Sequence, residues 1–422
     1  MDVPWSGITG TPNPAAASAA GPCPAEAPRA GSLGLVSGTL VLLVFATLPV
    51  YLLPSGSPQV VDLFIVPLML IMACRINPRG LVVLQELGYL LPFLSYAVCL
   101  NAVYFVANPH DPAYLKKAGE MLYVSAIILV FSQVFARLLG QRSLALFLTG
   151  LTLSAVTPFF IQGTHDQHWI RTTLSFNNPN QMGYFAIILL SYLLLTREHL
   201  IVPGRAGVSK FLGFLIWLTA ALAHIMVLLS LSKTALACLL ILDLQLFRRT
   251  PLKVALPTLG GAALLLFLVL AVRPSYYANF ADYLRAKANL ERVEERLYKN
   301  YARLDFAEEW QWVLGAGGGK AAGVMDDTEV HHIFGAILKT YGLVGVGLAG
   351  LWFGRLLWLS RSLKNGPAVS LALILYNSFH NGIRFRPFWI FCAFLVVLAV
   401  HRPSRGTARQ PQPEPFPGRT LS

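Results

Sequence analysis

Residues 210–247 read KFLGFLIWLTAALAHIMVLLS, then Leu231-Ser232-Lys233, then TALACLLILDLQLF. Crossing a hydrocarbon core of roughly 30 Å takes about 20 apolar residues as helix. Lipid offers no partner to backbone N–H and C=O groups, so such a block is a helix unless it closes as a barrel, whose strands alternate apolar with polar residues. These blocks do not alternate. The stretch therefore predicts two membrane helices joined by a short hydroxyl-and-lysine turn.

Working outward, the same pattern recurs along the chain. Apolar blocks near 32–53, 57–74, 80–106, 120–136, 143–161, 181–196, 210–229, 232–247, 254–272, 331–354, 367–380 and 387–400 predict an all-α polytopic membrane protein with about twelve transmembrane helices. Composition agrees: 55% of the 422 residues are hydrophobic and 13% charged, against about 25% charged in a soluble domain. The expected organisation is a cytosolic tail over 1–31, helices one to nine over 32–272, a large external helical loop over 273–330, helices ten to twelve over 331–400, and a basic cytosolic tail over 401–422. Residues 1–31 are rich in Ala, Pro and Gly, without a basic start or an apolar run. They read as a disordered tail, which leaves the first span as the insertion signal.

Orientation follows from the positive-inside rule. With the N-terminus cytosolic, the internal loops carry Arg75/Arg79, Arg137/Arg142, Arg197/Arg205/Lys210, Arg248/Arg249/Lys253 and Arg361/Lys364. Most of the net charge of +13 is thus topological and does not imply nucleic-acid binding. Arg171, Lys233, Arg273, Arg384 and Arg386 fall on the external side near the membrane, with Lys116 and Lys117 further out. Cations placed against the sorting bias are what a phosphorylated lipid headgroup would need, although long basic side chains also snorkel to headgroups. The five cysteines show no paired spacing, and His165 and His168 have beside them one Asp and no further clear donor, so no metal and no cofactor is expected.

Four external stretches are unusually polar. Asn177-Asn178-Pro179-Asn180 caps the entry to the 181–196 block. Ser230-Leu231-Ser232-Lys233-Thr234 forms the turn already quoted, and Gly315-Ala316-Gly317-Gly318-Gly319 is backbone free to approach a ligand. The stretch from Asp326 to His332 sets two imidazoles beside acidic residues at a helix mouth, and a histidine can accept a proton from a hydroxyl near neutral pH.

In that order the stretches resemble the O-antigen ligase and O-antigen polymerase superfamily, bacterial inner-membrane glycosyltransferases of the metal-independent C-type fold. Arg171 with Phe176 through Asn180 resembles the family's Arg, Phe and Asn-Pro-Asn entry. Ser232-Lys233 resembles its Ser-Arg turn, with Lys where Arg is usual. His331 through Gly345 resembles its His-Asn…Gly-x-x-Gly helix, which sets His332 at the Asn position. Gly315-x-Gly317 fits a further element whose Arg is best matched by Arg296, with Arg292 and Arg303 as alternatives.

The resemblance covers about 170–345. It implies transfer of a glycan from undecaprenyl diphosphate to a sugar hydroxyl on the periplasmic side of the inner membrane. His331 would be the base, and Arg171, Lys233 and Arg296 would hold the diphosphate. Asn178, Asn180, Ser232, His332 and Arg273 would play supporting parts. A polysaccharide polymerase acting on a growing glycan and a ligase acting on lipid A–core both fit, the two differing in the acceptor. Asp62, Glu86, His224 and Asp243 inside apolar blocks keep a transporter open as well, and a polytopic scaffold or sensor without catalysis is the remaining class.

Overall fold

The computed structural model describes residues 33–53, 58–75, 83, 85–138, 143–161, 173–196, 206–248, 260–261, 306, 308–319, 332–380, 382–383 and 385–401. Among the described residues every regular element is a helix: α1 Leu35–Thr47, α2 Asp62–Ala73, α3 Leu91–Ala107, α4 Pro112–Leu138, α5 Leu144–Phe160, α6 Pro179–Thr196, α7 Ala206–Ser230, α8 Lys233–Phe247, the single turn α9 Gln311–Leu314, α10 Ile333–Ser360, α11 Gly366–Asn377 and α12 Arg386–Val400. Helices occupy eleven of the twelve apolar blocks, and the block at 254–272 lies almost wholly outside the described residues. Three helices are long and apolar enough to cross a membrane by length and composition: Pro112–Leu138, Lys210–Ser230 and Ile333–Ser360. The remainder are shorter apolar helices, so twelve crossings stay an expectation from sequence.

Two helices form the centre. Every residue of α6 from Met182 to Thr196 is buried, as is every residue of α12 from Pro387 to Leu398. A helix apolar around its whole circumference is stable only when other helices or lipid surround it. Around this pair Phe135, Phe147, Tyr192, Phe391 and Phe394 interlock edge to face and stacked. The peripheral helices turn apolar side chains outward: Leu236, Leu240 and Leu244 along α8, and Leu63, Val66 and Leu70 along α2, are exposed. Contiguous apolar stripes of this kind mark a surface that water does not cover.

Interhelical contacts sort the bundle into two ends. At one, Tyr51 N–H donates to Ser175 O, Tyr376 OH to Asn180 O and Asn377 Nδ2 to Tyr184 OH. At the other, Asn365 Nδ2 donates to Leu194 O, Gln245 Nε2 to Asn365 Oδ1, and Arg137 to the carbonyl of Arg75. The α10–α11 turn lies at this second end, so the piece of α10 that follows Gly342 starts at the same end as α6. The first end is the one expected, from the basic loops, to be external.

That end projects. As a helix α4 would be about 40 Å long, longer than the hydrocarbon core, and it begins at Pro112, inside the stretch from 107 to 119 expected as a loop. Tyr123, in the second quarter of α4, donates to Asp62 at the start of α2, and Asp62 Oδ2 lies 3.0 Å from Arg386 Nη2 at the start of α12. The first three turns of α4 therefore stand beyond the other helix mouths, together with the end of α3.

Candidate functional site

The first stretch enters α6 through Asn178, whose Oδ1 accepts from Gln181 N–H at 2.8 Å. Pro179 occupies the first helical position, where a missing N–H costs nothing. Phe176 is fully buried and stacks on Tyr51, and Asn177 Nδ2 donates to Leu53 O. Asn180 is used through its carbonyl, which Tyr376 OH reaches at 2.6 Å. Two acceptors at this mouth, Asn177 Oδ1 and Gln181 Oε1, are buried with no donor among the described residues.

The second stretch is a tight turn from α7 to α8. Leu231 has φ +50, and Ser230 Oγ accepts from Ser232 N–H while donating to Val227 O. Ser232 is the N-cap of α8, its hydroxyl accepting from Ala235 N–H at 3.4 Å. Lys233 is the first residue of α8 and is exposed. These two stretches meet. A Cβ at Gly183, one turn into α6, would lie 2.9 Å from Ser230 Oγ and 3.0 Å from Ala235 Cβ, so the glycine is what lets the turn sit against the mouth of α6.

The stretch that leads into His332 differs from its sequence reading in two respects. Helix α10 starts at Ile333, and His332 is an extended N-cap (φ −115, ψ 144) whose Nδ1 accepts from Gly335 N–H at 2.9 Å. An Asn at this position would offer its Oδ1 to the same N–H, so the His replaces one capping acceptor by another. In addition, α10 is two helical pieces. Gly342 (φ +63, ψ −167) breaks it, and a Cβ there would lie 2.3 Å from Val313 O.

The glycine run expected to approach a ligand approaches the chain instead. Ala316 N–H donates to Lys339 O and Gly317 N–H to Thr340 O, the carbonyls that the break leaves without helical partners. Gly315 (φ +89) would put a Cβ 2.4 Å from Thr340 O, and Gly319 would put one 2.1 Å from Tyr114 Cζ.

Two of the cations read as phosphate candidates are held by carboxylates. Lys117 Nζ lies 2.8 Å from Glu120 Oε2, and Arg386 pairs with Asp62. His331, Arg171, Arg296 and Arg273 lie outside the described residues. The acids and histidine that kept a transporter open are all engaged between helices: Asp62 with Arg386 and Tyr123, Glu86 with Arg355 at 2.6 and 2.7 Å, and His224 Nε2 with Asp243 Oδ1 at 3.0 Å. Groups of three or more His, Cys, Asp or Glu able to hold a metal are absent among the described residues.

Sequence reasoning missed the polar residues of α3, Tyr96, Asn101 and Tyr104, which hold residues 314–318. Their only sequence signal was recurrence on an otherwise apolar helix. The chain matches no family profile and no curated protein.

Proposed function

We propose that this chain is a membrane glycosyltransferase that moves a glycan from a polyprenyl diphosphate to a sugar hydroxyl on the outer face of a bacterial inner membrane. The observation that carries the reading is the gathering of three chemically distinct stretches at one end of an apolar bundle. The capped mouth of α6 and the Ser232-Lys233 turn are in contact, and α10, whose first piece His332 caps, enters the bundle from the same end. A lipid-borne diphosphate presents its charge at this level of a membrane, with its chain beside apolar helix faces. The reaction needs a base for the acceptor hydroxyl and cations for the departing diphosphate. His331 serves as the base, and Lys233 with Arg171 and Arg296 serves the diphosphate. Lys233 supplies a point charge where a guanidinium would supply a fork.

Polymerisation of repeat units is the first form of this activity and ligation to lipid A–core the second. The interhelical pairing of Asp62, Glu86, His224 and Asp243 favours transfer over transport, because each has a partner that accounts for its place among apolar residues. A strain lacking the gene separates the forms. Accumulation of single-repeat lipid-linked glycan marks a polymerase and accumulation of full-length lipid-linked glycan a ligase; unchanged glycan pools would refute both.

A further inference from the structure

Helix α3 lies outside the 170–345 stretch that carries the resemblance, yet it is the element that grips the glycine segment. One face of α3 presents Phe93, Ala97, Asn101 and Tyr104, at helical spacings of four, four and three. Phe93 packs edge to face on Tyr341, the last residue before the Gly342 break, with ring centroids 5.5 Å apart. Asn101 is fully buried; its Oδ1 accepts from Gly318 N–H at 2.8 Å while its Nδ2 donates to Ala97 O. Tyr104 OH donates to Gly315 O at 2.8 Å, and Tyr96 OH, beside this face, donates to Leu314 O at 2.6 Å. The ring of Tyr104 is also stacked between Tyr114 and Trp310.

The chain of contacts is continuous. Helix α3 fixes the backbone of 314–318, that backbone satisfies the carbonyls of Lys339 and Thr340, and those residues end the helical piece that His332 caps. Since α10 is broken at Gly342, the membrane portion of α10 does not by itself set the direction of the Ile333–Tyr341 piece. Its direction is set by what it packs against.

We infer that Asn101, Tyr96 and Tyr104 are positioning residues, which hold the 313–319 segment and through it aim the Ile333–Tyr341 piece and the His332 that caps it. The consequence for transfer rests on the proposed function; the mechanical coupling does not.

The test uses the full chain in lipid nanodiscs, with hydrogen exchange measured on peptides covering 311–319. Asn101→Leu keeps the branched shape and removes the acceptor, and the double variant Tyr96→Phe/Tyr104→Phe keeps both rings and removes two donors. The double variant serves should Asn101→Leu not accumulate. Exchange over 315–319 is expected to rise by about five- to tenfold in either variant, with α6 and α12 unchanged. With a lipid-linked donor, kcat is expected to fall by about tenfold or more while KM for the donor stays the same, since misplacement of a reacting group acts on the chemical step.

Unchanged exchange in both variants would overturn the inference, as would faster exchange at wild-type kcat. Faster exchange in a chain whose wild type transfers no glycan would confirm the coupling and overturn the transferase reading alone.

Discussion

Replacing His332 by Asn and by Ala separates its structural part from the chemical part assigned to His331. The only acceptor that His332 offers Gly335 N–H is Nδ1, at 2.9 Å, and the side chain is buried. Ala removes that acceptor. Loss of an N-cap costs about 1 kcal/mol, within a range of roughly 0.5–2, a factor of about five in the equilibrium between a closed and a frayed first turn. Asn restores an acceptor of the highest capping rank. Transfer by His332→Asn is therefore expected within about threefold of wild type, and transfer by His332→Ala a further factor of about five lower. Removal of a general base typically costs about 10²–10⁴-fold, which is the loss expected of His331→Ala at normal protein level. The assay is extension or transfer of a lipid-linked glycan in isolated membranes, read as a product ladder on a gel and normalised to immunoblotted protein. An inactive His332→Asn beside an active His331→Ala would refute the assignment of cap and base. Full activity in all three variants would refute the catalytic-base role itself.

Topology is testable at positions whose exposure is known. Thr173 is fully buried and makes a poor reporter, whereas His110 in the α3–α4 loop and Ser362 in the α10–α11 turn are exposed. In intact spheroplasts a membrane-impermeant thiol reagent is expected to label His110→Cys and to spare Ser362→Cys, and the reverse pattern would invert the orientation. Glu86→Ala is expected to lower thermal stability in detergent by about 2–3 kcal/mol. It leaves Arg355 without its bidentate partner, and the figure sits below that for a wholly buried pair because a fifth of each side chain is exposed. No measurable change in unfolding midpoint would show that stacking of Arg355 on Trp358 suffices by itself.

Much of the helical layout was legible without coordinates. The run of apolar residues from Gln181 to Thr196 could be only a helix surrounded by other helices or lipid, because its backbone must satisfy itself and its side chains have no polar face. The cap at the Asn-Pro-Asn entry to α6 was likewise local, since an acceptor three residues before an N–H is a property of the sequence, whereas Ser232 was read only as part of a polar turn. The cap made by His332 was legible only in outline: its place at a helix mouth could be read, but histidine does not announce which of its nitrogens accepts.

Partnership across the chain was not legible. Arg386 and Lys117 looked like cations waiting for phosphate, and only the packing of α2 and α12 on α4 brings Asp62 to Arg386, while the early start of α4 puts Lys117 and Glu120 on one helical face. The glycines at 315–319 looked the same whether they made room for a ligand or for Thr340 and Tyr114. Apolar periodicity and local capping act over a few residues and are written in order along the chain. The break at Gly342, the grip of α3 on 314–318 and the meeting of Gly183 with Ser230 join residues far apart in sequence, and the space each needs exists only once the helices have packed.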